Sequence, residues 1–182
     1  SGIWIYPSNP VQADDIRIQN LANSLIADLT SDYDKIKSIH DYIVNDIYYD
    51  WDSYTGESRK MDAISVFLNG TGVCEGYANY FSAVSRAAGF TTKFISSSAM
   101  NHAWNNIFHN GQWYFIDCTW DDPLEDPFTT NSPDNLRYMY FLLTDLDGVD
   151  GDHDYSDIEF NPHRSIMSSD LPRMPGWPNG YY

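Results

Sequence analysis

Gly70-Thr71-Gly72-Val73-Cys74-Glu75-Gly76-Tyr77-Ala78 and, further along, Asn101-His102-Ala103-Trp104-Asn105-Asn106-Ile107-Phe108-His109-Asn110-Gly111-Gln112-Trp113-Tyr114-Phe115-Ile116-Asp117-Cys118-Thr119-Trp120 are the stretches on which the fold turns. In the first, Asn69 to Gly72 is rich in helix breakers, and beyond it Tyr77, Phe81, Val84 and Ala88 recur at steps of four, three and four. That spacing predicts a helix beginning at Cys74 and ending at Gly89, a residue suited to a C-cap. In the second, Asn110-Gly111 is a strong hairpin signal, a two-residue type I′ turn between aromatic and β-branched strands at 102–109 and 112–119.

The turn sets a register. With His109 facing Gln112, Phe108 pairs with Trp113, Asn106 with Phe115 and Trp104 with Asp117. Alternate residues of a strand share a face, so His102 is expected diagonal to Asp117 on one side of the sheet. Diagonal neighbours stand about 7–8 Å apart at the backbone, a gap that an imidazole and a carboxylate can close by leaning together. The same parity sends Cys118 to the other face, away from His102.

Outward from this centre, Ile18, Leu21, Leu25 and Leu29 mark an amphipathic helix over 14–29. Ile36, Ile39, Ile43 and Ile47 mark a second over 34–47, closed by Tyr48 to Trp51. A loop at 52–56 and a short helix near 61–68 lead to the Cys74 turn, and further strands are expected at 91–96 and 137–144. The chain thus reads as helices first and strands later. The 182 residues read as one domain, with its core at about 32–145 and an irregular Pro-rich tail over 146–182.

Composition narrows the function. Hydrophobic content of 42% with 16% aromatic residues excludes a disordered chain. Ten Lys+Arg against 26 Asp+Glu give a net charge of -16, which repels nucleic acid and anionic membranes. No apolar run reaches the roughly 20 residues of a membrane span, so no membrane insertion is expected, and Ser1-Gly2-Ile3-Trp4 lacks the basic-then-apolar pattern of an export signal. Two cysteines build neither a disulfide framework nor a thiolate-rich zinc site.

The chemistry lies in Cys74, His102 and Asp117. A thiol is nucleophilic as the thiolate, and a free cysteine with a pKa of about 8.5 is mostly protonated at neutral pH. A helix N-terminus at Cys74 supplies backbone N–H groups and a positive dipole that favour a thiolate and can receive an oxyanion. Histidine as base and aspartate as its orienter complete a nucleophilic arrangement. Aspartate is disfavoured inside strands, and pairing with His102 gives Asp117 a reason to be there. Gly72 and Gly76 are expected to leave room for a substrate beside the sulfur.

Asp32-Tyr33-Asp34-Lys35-Ile36-Lys37-Ser38-Ile39-His40-Asp41-Tyr42-Ile43, then GVCEGYA, NHAWNNI, GQWYFIDCTWDDP and YFLLTD resemble the bacterial branch of the transglutaminase-like superfamily. The resemblance implies a papain-like α+β fold, with a catalytic Cys at a helix N-terminus packed on an antiparallel β-sheet. It implies a Cys74, His102, Asp117 triad that attacks protein or peptide amides through a Cys thioester. Amine then gives acyl transfer, and water gives deamidation or proteolysis. It also implies an oxyanion donor upstream of the cysteine, for which Trp51 and then Tyr49 are the candidates, and an extracellular or cell-wall setting. Trp104, Trp113 and Trp120 are candidate cleft walls that core packing explains equally well.

No cofactor is implied. The acidic run Asp145 to Asp152 misses the EF-hand spacing at Val149, so no metal site is assigned. His40 reads as a satisfied structural histidine, His109 as exposed beside the turn, and Asp121-Asp122-Pro123 as the turn ending the third strand. The contrasting reading is a catalytically silent binding or scaffold domain of a cell-surface protein. The sequence leaves the acyl acceptor and the oligomeric state open.

Overall fold

A computed structural model of the chain describes residues 10–51, 60–122 and 138–143, and the backbone of 158–160. Among the described residues, helices precede most of the sheet. Helix α1 (Ile16–Ile26) opens at Asp15, whose carboxylate accepts from Arg17 N–H. Helix α2 (Asp32–Asp46) opens at Ser31, whose hydroxyl accepts from Asp34 N–H, with Asp32 and Asp34 complementing the positive end of the dipole. Strand β1 (Tyr48–Tyr49), helix α3 (Ala63–Asn69) and strand β2 (Thr71–Gly72) then lead into helix α4 (Cys74–Ala87). Gly70, at φ 67, ends α3 in the left-handed conformation that glycine adopts at little cost.

Helix α4 is the axis of the molecule. Every residue from Gly76 to Ser85 is buried, because the helix has packed partners all round. Ile18 and Ala22 of α1, with Ile36, Ile39 and Ile43 of α2, pack around Tyr77, Tyr80, Phe81 and Val84, and Ile107 and Ile116 of the sheet close this core. Burying each such side chain contributes about 1.5–3 kcal/mol. Asn105 pins α4 to the sheet: its amide donates to Ala78 O at 3.0 Å and to Ser82 Oγ at 2.8 Å.

The sheet contains β3 (Thr91–Ser97), β4 (His102–His109), β5 (Gln112–Ile116), β6 (Phe141–Leu143) and β7 (Ile158–Phe160), in the order β6-β5-β4-β3-β7 with antiparallel neighbours. The β4–β5 register pairs His109 with Gln112, Phe108 with Trp113 and Asn106 with Phe115, as the turn predicts. Asn110 and Gly111 take φ 50 and 80, the positive values of a type I′ turn.

Three features depart from the sequence reading. Strand β5 ends at Ile116, so Asp117 is not a strand residue: it caps the one-turn helix α5 (Cys118–Asp121), accepting from Trp120 N–H at 3.1 Å. A cap is where aspartate is favoured, which answers its oddity in a strand. Tyr48-Tyr49 does not simply close α2 but pairs in parallel with Thr71-Gly72, a pairing too short to leave a pattern. Residues 158–160, inside the stretch expected to be irregular, add an edge strand to β3. The acidic run at 145–152 and the prolines beyond 160 lie outside the described residues.

Candidate active site

Cys74 is the first residue of α4, half-buried, and packs against Ala78, Phe94 and Ala103, so its sulfur lies where β4 begins. Val73 before it is extended. The parallel β1–β2 pairing fixes this start from the other side, with Asp50 N–H donating to Gly72 O at 3.0 Å. Gly76 serves packing rather than substrate access, contrary to expectation. A Cβ there would stand 3.0 Å from Val66 Cγ2 and 3.1 Å from Met61 Sδ, so its missing side chain lets α3 approach. At Gly72 a Cβ would meet Gly76 Cα and Val66 Cγ2 at 3.4 Å, so it too faces α3 and the Cys helix.

His102 and Asp117 meet, but not as diagonal strand neighbours: the β4–β5 pairing runs only to Asn105 and Ile116, no Trp104–Asp117 pair forms, and Asp117 reaches the ring from the cap of α5. Asp117 Oδ2 accepts from His102 Nε2 at 2.5 Å, with both residues buried, and the Cys74 thiol stands close enough to the ring to favour its charged form. With Nε2 engaged, Nδ1 is the nitrogen left for the sulfur. Burial works to lower the His102 pKa, but the Asp117 charge and hydrogen bond, helped by Cys74, outweigh it and raise the pKa to about 10. The site therefore favours an imidazolium next to a thiol, the partner a thiolate needs. Cys118, in α5, is fully buried, and burial followed by nearby aspartates raises its pKa well above the ordinary thiol value.

Aromatic rings frame the imidazole. Trp120 stacks near-parallel on His102 at 4.6 Å and 14°, and Trp104 lies at 5.6 Å and 19°. Trp104 is buried with Ile95, Trp113 and Phe115, so it backs the histidine instead of lining an open cleft. Trp113 carries Lys93 Nζ 4.4 Å above its ring and is likewise core. Trp51 is 44% exposed, beside Tyr49 at 4.7 Å and two residues past β1, whose Tyr49 pairs with Gly72. Tyr49 lies 6.4 Å from Tyr77.

The buried carboxylates after β5 went unread in the sequence. Asp121 and Asp122 end no strand; both are buried, Asp121 against His40 and Asp122 accepting from Tyr77 O–H at 2.5 Å. His40 is the satisfied histidine expected. His109 is half-buried against Tyr114, not exposed, while His153 and His163 lie outside the described residues. The signal for Trp120 as stacking partner was its position three residues after Asp117, on the first turn that the aspartate caps.

A family model described as the transglutaminase-like superfamily matches residues 19–118, the span from α1 through the Cys, His and Asp blocks. The chain belongs to the transglutaminase-like superfamily. Its α+β architecture, with the Cys helix on an antiparallel sheet, is that of this family. Kyphoscoliosis peptidase of Mus musculus is 26% identical over 149 residues, and that of Homo sapiens 24% over 140. These matches cover 71% and 69% of the chain but only 22% and 21% of those proteins, so the chain spans about a fifth of their length. A crystal structure of a candidate cysteine protease from Cytophaga hutchinsonii matches at TM-score 0.51 and 25% identity, over 65% of this chain and 42% of that one. Among the described residues no helix is long and apolar enough to cross a membrane, and no cluster of three or more His, Cys, Asp or Glu is arranged to hold a metal.

Proposed function

We propose that this transglutaminase-like domain is a thiol enzyme acting on protein or peptide amides, with Cys74 as nucleophile, His102 as acid and base, and Asp117 as the group that orients and charges His102. One observation carries this reading: a cysteine at the start of a 14-residue helix in contact with an imidazole whose far nitrogen is held by a buried aspartate. The thiolate attacks the amide carbon, and the C=O electrons move onto oxygen near the first N–H groups of α4. His102 gives its proton to the leaving nitrogen as the C–N bond breaks, leaving a thioester. Water or an amine then attacks the thioester, His102 takes the incoming proton, and the C–S bond breaks to regenerate the thiolate. The names of the curated peptidase relatives favour water as the second reactant and protein as the substrate class.

Incubation of the chain with a glutamine-containing peptide and a fluorescent amine tests the reading. Peptide cleavage that disappears in Cys74→Ala, with the variant's circular dichroism unchanged, is the expected result. Amine incorporation without cleavage would make the domain an acyl transferase instead. Neither product, together with Cys74 alkylation that follows an ordinary thiol of pKa about 8.5, would leave only a silent binding domain.

A further inference from the structure

A second histidine–aspartate pair lies behind the first. His40, fully buried on α2, has Nε2 3.0 Å from Asp121 Oδ2 and Nδ1 3.0 Å from Asp41 Oδ1. A neutral imidazole has a single N–H, so donating to two carboxylates calls for the imidazolium. Asp121 is the last residue of α5, and Asp117 is its cap. The two ends are tied to one backbone unit: Asp121 Oδ1 accepts from Tyr140 N–H, and Asp117 N–H donates to Tyr140 O, each at 3.0 Å. Between them sits Trp120, stacked on His102.

We propose that His40, through Asp121, is a positioning residue for the His102–Asp117 pair: it anchors the far end of α5 so that Asp117 and Trp120 meet the His102 ring in one geometry. The proposal rests on the triad reading above. Its logic is electrostatic as well as steric. Asp117 and Asp121 are two buried carboxylates on one helical turn, and without a counter-charge Asp121 would be driven to take up a proton or to swing toward water, dragging the turn with it. Burial works to lower the His40 pKa, and the bonds to Asp121 and Asp41 reverse it. The other groups facing His40 agree with a charged ring. Asp41 is held in turn by Lys37 Nζ at 2.5 Å and Tyr138 O–H at 3.0 Å, and the rings of Tyr138 and Phe141 lie 5.5 and 4.9 Å from the imidazole. Cys118, starting the same turn, is buried and held neutral.

Nuclear magnetic resonance of chain carrying labelled histidine rings tests this without any substrate. In the wild type His40 is expected as an imidazolium at neutral pH; a neutral ring there overturns the proposal with no variant needed. In His40→Gln, where the amide can still donate to Asp121 but carries no charge, the His102 titration midpoint is expected to fall by about one pH unit or more as its hold on Asp117 loosens. Cys74 alkylation at neutral pH is expected to slow about tenfold or more alongside it. Asp121→Asn, which keeps an acceptor for Tyr140 N–H, is expected to do the same, and the double variant to be no worse than either single one. A His102 midpoint unchanged in the folded variants, with only the melting temperature lowered, would reduce His40 to a packing residue. A wild type that shows neither peptide cleavage nor amine incorporation sinks the functional reading alone, since the ring titrations do not depend on turnover.

Discussion

His102 is held by opposing forces. Burial alone would drive it to the neutral imidazole, and Asp117 at 2.5 Å with the Cys74 thiol reverses that, raising its pKa to about 10. A folded value above the unfolded one of about 6.5 means that the associated stability is complete below about pH 6.5 and is lost as pH climbs through about 10. Asp117→Asn keeps an oxygen to cap Trp120 N–H but removes the charge. The fall of the urea midpoint across that window is therefore expected to be shallower in the variant than in the wild type, and parallel curves would show that the pair contributes no such linkage. The same pair bears on reactivity: Asp117→Asn should slow Cys74 alkylation at neutral pH, because the ring beside the thiol loses the charge that keeps it protonated, and an unchanged rate would disconnect Asp117 from the sulfur. Trp120 belongs to this scale too. Trp120→Ala uncovers the imidazole, lets water screen its bond to Asp117, and should lower the His102 titration midpoint read by nuclear magnetic resonance; an unchanged midpoint would show that the stacking is packing alone.

At the level of elements, the start of α4 is where packing and chemistry meet. Gly76 faces the branched side chain of Val66 and the sulfur of Met61 at distances tighter than an ordinary Cβ contact, whereas Gly72 has a few tenths of an ångström more. Gly76→Ala should cost about 1–3 kcal/mol by pushing α3 away, and Gly72→Ala less; chemical denaturation of the two variants checks the order, and a larger loss at Gly72 would contradict this packing. The elements that were legible in the sequence are those whose cause is local. Asn110-Gly111 dictates a turn, the turn dictates a register from His109–Gln112 to Asn105–Ile116, and Asp117, one residue past that ladder, is delivered beside His102. The four-three-four spacing after Cys74 likewise gives the helix and its beginning. The end of β5 was not legible, because Ile116-Asp117-Cys118 carries strand-like neighbours, and the chain leaves the ladder where Asp117 turns to cap α5, its carboxylate accepting from Trp120 N–H. Nor was the role of Asp121: its partner His40 stands on a helix distant in sequence, and a lone histidine beside an apolar stripe names no partner.

For the whole molecule, charge is the property that reaches beyond the site. The sequence carries 26 acidic side chains against ten basic ones, while the inward-turned Asp117 and Asp121 are each met by an imidazole. The remaining excess gives the protein a strongly negative field, while the site's own chemistry wants a protonated histidine. Such a field draws cationic chains toward the surface and repels anionic ones, and it acts on encounter more than on the bond-breaking step. A cleavable peptide flanked by lysines should therefore show a higher kcat/KM than the same peptide flanked by glutamates, with similar kcat. The gap should shrink as salt rises from about 0.01 M to about 0.1 M, because the Debye length falls from about 30 Å to about 10 Å. Steady-state kinetics of both peptides at the two salt concentrations decide it: a ratio that stays near one at low salt would show that the acidic surface keeps the protein dissolved and does not select its substrate.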